Sequence, residues 1–158
     1  MNKRKFTSAL TAITLFASAG IATALPAALP GTLTLASKHS FSTLVSRVEA
    51  AVARQKMGLV ATASASAGAA GRGIKIPGNT VLMVFRNDYA VRMLQASVPA
   101  GIEAPIRIYI TENADGTANL TYRTPSAVFA PYQSDKIDAM AAELDPIFER
   151  IARDATGS

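Results

Sequence analysis

The side chains best suited to contact a ligand are five scattered hydrogen-bond donors: Arg72, Lys75, Asn87, Arg107 and Arg123. Arg72 lies within a glycine-rich segment, residues 67–73, and Lys75 lies just after it, where the backbone can approach a ligand closely. The last two alternate with apolar residues, as on the polar face of a β-hairpin. An arginine fork donates two parallel hydrogen bonds to a carboxylate or a phosphate. We therefore predict a ligand-binding site among these residues, with ordinary solvated surface positions as the alternative.

The glycine-rich segment has the composition of a phosphate loop but not its spacing. No Gly-Lys-Ser or Gly-Lys-Thr follows it, and Pro77-Gly78 and a strand stand where a helix should begin. Anion binding by Arg72 and Lys75 therefore stays open beside a plain connection between two strands.

Catalytic chemistry has little support in this composition. The chain contains no cysteine, which excludes thiol catalysis and thiolate metal sites, and its one histidine is His39. A hydrolase would have to combine His39 with a serine, yet His39 precedes the first predicted helix and no Gly-x-Ser-x-Gly motif is present. We predict no catalytic residue, no metal and no cofactor, and a hydrolase-type enzyme is the alternative.

The composition is that of one globular domain, with 158 residues of which 49% are hydrophobic and 6% aromatic. The formal net charge of +5 includes Lys3, Arg4 and Lys5, and it falls to +2 when a leader carrying these three is removed. So small an excess of positive charge argues against a nucleic-acid partner.

Residues 1–24 have the pattern of a secretory signal peptide. A short basic start precedes an uncharged run, and Ala22-Thr23-Ala24 places small residues where signal peptidase reads them. Cleavage after Ala24 is the first interpretation and cleavage after Ala27 the second. An uncleaved membrane anchor is the alternative, although Thr, Ser and Gly make the run weakly hydrophobic. We expect a periplasmic or secreted protein with no stable membrane anchor after cleavage.

Five runs have the composition of strands: residues 32–37, 59–66, 80–85, 106–111 and 118–123. Asp115-Gly116 joins the last two and favours a tight reversal, which predicts an antiparallel hairpin. Helices are predicted over residues 41–56, over 89–98 with Asn87 or Asp88 as N-cap, and from residue 135 onward, where Pro146 kinks or restarts the helix. The predicted core comprises Phe41, Leu44, Val48, Val81, Met83, Phe85, Leu94, Ile106, Ile108, Ile110 and Ile151.

Three segments carry a resemblance to a known family: SFSTLVSRVEAAVARQKMGL, VLMVFRND and MLQASVPAGIEAPIRIYITENADGTANLTYRTPSAV. Over about residues 37–132 the chain resembles the domain of unknown function 302 family. The resemblance implies an α+β fold, a two-layer α/β sandwich with one mixed sheet of about five strands and helices on one face. It also implies frequent dimers and no assigned reaction. The predicted organisation is a signal peptide (1–24), a lead-in and first strand (25–36), the core (37–132) and a C-terminal helix on or beside it (133–158).

The chain departs from the family pattern in two places. Ala63-Ser64-Ala65-Ser66 replaces a common Asp-His pair, and Phe85-Arg86-Asn87-Asp88 replaces Phe-Gly-Asn-Pro. The export signal, the apolar strand faces and the lack of a nucleophile–base set lead us to expect an exported, non-catalytic module that binds a small molecule or lipid-like ligand between helices and sheet or across a dimer cleft. The alternatives are the hydrolase and an interaction protein that acts through a sheet edge or a dimer interface.

Export predicts a defined new N-terminus. N-terminal sequencing of the protein recovered from the periplasm or medium should begin at Leu25, or at Ala28 if the second site is used, because signal peptidase cuts after small residues. Recovery of a soluble exported form that still begins at Met1 would contradict the prediction.

Overall fold

A computed structural model describes residues 28–158. The strands are β1 (Thr32–Ser40), β2 (Gly58–Ala63), β3 (Asn79–Phe85), β4 (Ile106–Glu112) and β5 (Thr117–Arg123). The α-helices are α1 (Phe41–Arg54), α2 (Ala65–Ala70), α3 (Asn87–Ala96), α4 (Pro125–Phe129) and α5 (Asp135–Thr156). Short 3₁₀ helices cover Val98–Glu103 and Ala130–Tyr132. The predicted signal peptide and both cleavage sites lie outside the described residues.

The five strands form one sheet in the order β1-β5-β4-β3-β2, and every neighbouring pair is antiparallel. The α+β fold class and the β4–β5 hairpin are therefore confirmed, but a mixed sheet is wrong. The reason lies in α1, which carries the chain from one edge of the sheet to the other. The two strands that it joins, β1 and β2, run parallel but never lie side by side.

One face of the sheet is covered by helices and holds the core. Ile106, Ile108 and Ile110 on β4 and Leu120 on β5 are buried, and the residues between them are not. This alternation is the period-two pattern of a strand with one buried face. The helices supply the second layer of the core, with Leu44, Val48 and Val52 from α1 and Ile137, Met140, Leu144, Phe148 and Ile151 from α5.

The predicted core is wrong at two elements. On β3 the buried apolar residues are Leu82 and Val84, whereas the predicted Val81, Met83 and Phe85 are only half-buried on the alternate positions of the strand. The sequence TVLMVF is apolar throughout, so it contains no alternation that could identify the buried face. On α3 the buried residue is Met93, and the predicted Leu94 is 46% exposed.

Local capping explains where the predicted boundaries of other elements fail. Ser64 caps the alanine-rich α2 by accepting from the Ala67 backbone N–H, so the second strand ends at Ala63 and part of the glycine-rich segment is helical.

Helix α5 runs continuously through Pro146. Among residues 28–158, none of the helices combines the length and apolarity needed to span a membrane.

Ile108 provides a test of the buried face. It is 1% exposed between Leu82 and Tyr122, so Ile108→Ala should cost about 2–5 kcal/mol of unfolding free energy through lost burial and a residual cavity. The matched control is Tyr109→Ala, because Tyr109 is the next residue on β4, points to the open face and is 41% exposed. Urea denaturation followed by circular dichroism measures both. Equal losses in the two variants would contradict the assignment of faces.

Candidate functional site

The five predicted ligand-binding residues fall into groups at opposite ends of the sheet. Arg72 and Lys75 are exposed in the connection from α2 to β3. This connection meets the hairpin end of β4, where the Gly78 backbone N–H donates to Glu112 Oε2 at 2.6 Å. No phosphate-loop geometry is built here, since the segment is followed by β3 and not by a helix.

The other three predicted residues lie at the opposite end of the sheet. Arg107 and Arg123 line one cavity of ≈ 60 Å³ together with Glu103, as the hairpin register brings their strands side by side. Arg123 already has a structural hydrogen bond, in which its Nη2 donates to the Ala127 carbonyl at 2.9 Å. Asn87 is exposed at the first residue of α3. The structure thus brings together the two hairpin arginines, and ligand binding by the five residues stays a prediction.

A carboxylate already occupies the neighbourhood of the hairpin arginines. The Tyr132 hydroxyl donates to Glu103 Oε1 at 3.2 Å. The pKa of Tyr132 is raised, mainly by burial and to a lesser extent by this hydrogen bond. Tyr132 therefore remains a neutral donor near pH 7, and Glu103 places a competing negative charge in any anion site there.

His39 lies far from any arrangement typical of a hydrolase. Its ring is next to Gly157 at the end of α5. The His39 backbone N–H donates to Ser37 Oγ at 2.9 Å, but the ring forms no hydrogen bond with residues 28–158. The same described residues contain no group of three or more His, Cys, Asp or Glu placed to hold a metal ion. Among residues 28–158, no hydroxyl is hydrogen-bonded to the His39 ring, so the nucleophile–base pair of a hydrolase is not formed there.

An apolar cavity lies between α3, α5 and the end of β3. We call it the methionine cavity because Met57, Met93 and Met140 line it. Its other lining residues are Val84, Phe85, Arg86, Tyr89, Ala90, Ala104, Ile106, Phe129 and Leu144. Three of the five methionines in the chain thus meet around one space, whose volume is ≈ 30 Å³.

Arg86 and Tyr89 form the polar mouth of the methionine cavity. The Arg86 guanidinium stacks over the Tyr89 ring at 4.3 Å, and its Nε donates to Asp88 Oδ1 at 2.8 Å. That hydrogen bond lowers the pKa of the Asp88 carboxyl and raises the pKa of Arg86, so both are charged at neutral pH. Arg86 is also the N-cap of α3, where Asn87 or Asp88 had been predicted, and it makes no side-chain cap hydrogen bond.

An ion pair joins the outer wall of the cavity to α5. Arg92 on α3 donates from both Nη atoms to the two carboxylate oxygens of Glu143, each at 2.7 Å. Both side chains are about half exposed, so solvent weakens the attraction. The pair nevertheless fixes where α3 lies against α5, because two parallel hydrogen bonds define an orientation.

Sequence reasoning missed this site because its residues are distant in the chain. Met57 lies between α1 and β2, Met93 on α3 and Met140 on α5, and nothing in their spacing predicts that they meet. In the sequence, Arg86 is notable only because it stands where the family pattern has glycine. The one available signal was Arg86-x-x-Tyr89 at the start of a predicted helix, a spacing that places the two side chains on one face.

Comparison with known proteins agrees with the architecture. Residues 33–155 match the family model described as "Domain of unknown function DUF302". The structure is similar to the crystal structure of an uncharacterized conserved DUF302 protein from Bacillus stearothermophilus, with a TM-score of 0.71 and 14% sequence identity. The match covers 80% of this chain and 98% of that one. No curated protein matches. The homodimer implied by the resemblance stays a prediction.

The Arg92–Glu143 pair predicts a pH-dependent contribution to stability. The Arg92 hydrogen bonds lower the pKa of Glu143 below its ordinary value of 4.5. A carboxyl group of this kind stabilises the folded chain above its unfolded pKa, and the contribution is lost as pH falls through the lowered folded value. Glu143→Gln should therefore reduce the urea midpoint at pH 7 and leave it close to wild type near pH 3.

The control is Glu49→Gln, which removes an exposed α1 carboxylate that accepts no hydrogen bond from another described residue. Its urea midpoint should follow that of wild type at every pH. A wild-type advantage over Glu143→Gln that persists unchanged to pH 3 would contradict the assignment.

Proposed function

The chain belongs to the DUF302 family, and we propose that it is an exported, non-catalytic module that binds a small apolar or lipid-like molecule in the methionine cavity. The observation that carries the proposal is the cavity itself, which combines an apolar floor with a polar mouth. Ligand sites in proteins are typically concave and apolar, with a few polar groups that set orientation.

The floor of the cavity suits a flexible apolar chain. Val84, Met93, Phe129 and Met140 are each no more than 3% exposed, so a ligand there would be shielded from water. Burying an apolar methylene group contributes roughly 0.8 kcal/mol. Thioether side chains are flexible and polarisable, and they repack around ligands of different shape.

The cavity must enlarge to accept a ligand, because ≈ 30 Å³ is far below the roughly 300 Å³ of typical ligand pockets. Helix α3 is the wall best able to move. Met93 is its only buried residue, and its N-terminus has no side-chain cap. Elements with few buried apolar contacts open at low free-energy cost. Movement of α3 away from α5 would require the exposed Arg92–Glu143 pair to separate.

Binding fits the molecule better than hydrolysis does. A hydrolase would need a base, and His39 lies at the far end of α5 from the methionine cavity. The N-terminal sequence supports a destination outside the cytoplasm, where carriers of poorly soluble molecules have a use. The apolar cavity and the signal pattern together favour a binding module.

The methionine methyl groups provide a direct test. In protein labelled with ¹³C at the methionine methyl, titration with 1-octanol should shift the signals of Met57, Met93 and Met140, because all three line the cavity. Met83 on the open face of the sheet should not shift. Equal shifts at Met83, or none at the three cavity residues, would contradict the proposal.

A pair of variants on one helix controls for non-specific binding. Ala90 lines the cavity, so Ala90→Leu should fill the space and weaken octanol binding about tenfold, which is worth ~1.4 kcal/mol. Val91 is the next residue and is 45% exposed, so Val91→Leu should leave binding unchanged.

A further inference from the structure

Among residues 28–158, Arg86 is the only charged residue that lines the methionine cavity. Its side chain is 30% exposed, so the guanidinium lies partly out of water at the boundary between the apolar floor and the solvent. A ligand with its apolar part on the floor would place its other end beside this group. The chemical group at that end of the ligand therefore depends mainly on which of the Arg86 donors are free.

The guanidinium is oriented but not fully used. Its Nε is engaged by Asp88 Oδ1 at 2.8 Å, and its face lies over Tyr89 at 4.3 Å. Neither Nη atom donates to an acceptor among the described residues, and both remain available as a fork. Because one hydrogen bond and one stacking contact already fix the plane, little rotational freedom is lost when a ligand is bound.

The surrounding charges favour a singly charged, planar partner. Asp88 is on the Nε side and 61% exposed, so solvent screens its repulsion of an incoming anion. Arg92 also lies over the Tyr89 ring, at 5.5 Å, but both of its Nη atoms already donate to Glu143. Arg86 alone would therefore balance one of the two negative charges of a phosphate. A carboxylate carries a single charge, and its two oxygens match the two Nη donors.

We propose that the ligand of the methionine cavity is an amphipathic carboxylate, such as a medium-chain fatty acid, whose carboxylate is bound by the Nη atoms of Arg86. This rests on the proposed function, since the apolar tail must enter the same cavity. Arg86 then acts as a specificity residue that selects acids over neutral molecules of equal length.

The test compares octanoate with 1-octanol at pH 7, read from the ¹³C-methyl signals of Met57, Met93 and Met140. Wild type should bind octanoate about tenfold more tightly than octanol, because a hydrogen bond to a charged partner adds to the same apolar burial. Arg86→Gln should remove this preference and leave octanol binding unchanged. Arg86→Lys keeps the charge but lacks the two parallel donors, so it should still prefer octanoate, by about threefold.

Arg92→Gln is the matched control, because it removes the same charge from the same helix at a residue outside the cavity lining. Its preference for octanoate should change less than threefold. A loss in Arg92→Gln equal to that in Arg86→Gln would overturn the assignment, since a general electrostatic effect would then explain the preference.

The remaining outcomes separate the two proposals. If octanol and octanoate bind wild type and Arg86→Gln alike, the carboxylate inference is overturned and the binding function stands. If neither compound shifts the three methionines in wild type, both proposals are overturned. The Met83 signal reports whether each variant is folded, and Arg86→Lys decides the question if Arg86→Gln fails to fold.

Discussion

Helix α5 covers the sheet, and most of the structure is held by that contact. Ten of its 22 residues are buried, among them Phe148, whose ring lies 6.2 Å from that of Tyr122 on β5. The helix is also held by hydrogen bonds at its C-terminal end and near its middle. Arg47 of α1 donates to the Asp154 and Ala155 carbonyls at 2.7 and 2.6 Å, which places a cation at the negative end of the helix dipole. Asp145, beside Pro146, accepts from the backbone and hydroxyl of Ser126 and so caps α4.

The same contact explains why a cavity exists where it does. Helix α5 is packed along its whole length, whereas α3 covers the end of the sheet with one buried side chain. Protein interiors are normally packed to near-crystalline density, so a cavity is expected where the fewest side chains cover the sheet. The flexible Met57, Met93 and Met140 side chains occupy that border instead of branched residues that would fix its shape.

Alternation along a strand was the part of the sequence that predicted structure well. Ile106, Ile108 and Ile110 alternate with polar residues, and both the strand and its buried face followed from that pattern. The uniformly apolar β3 predicted a strand without predicting its face. The antiparallel sheet could not be predicted from local pattern, because it depends on where α1 delivers the chain. The methionine cavity could not be predicted for a related reason, since its lining comes from five separate stretches of the sequence.

The position of β1 at the sheet edge has a consequence for the order of folding. Among residues 28–158 the strand pairs only with β5, and the Thr34 hydroxyl is hydrogen-bonded to that of Thr121, 87 residues further along the chain. Such a long loop must close before the pairing stabilises it, so non-local strands form late. The first strand therefore has no partner until nearly the whole domain is available.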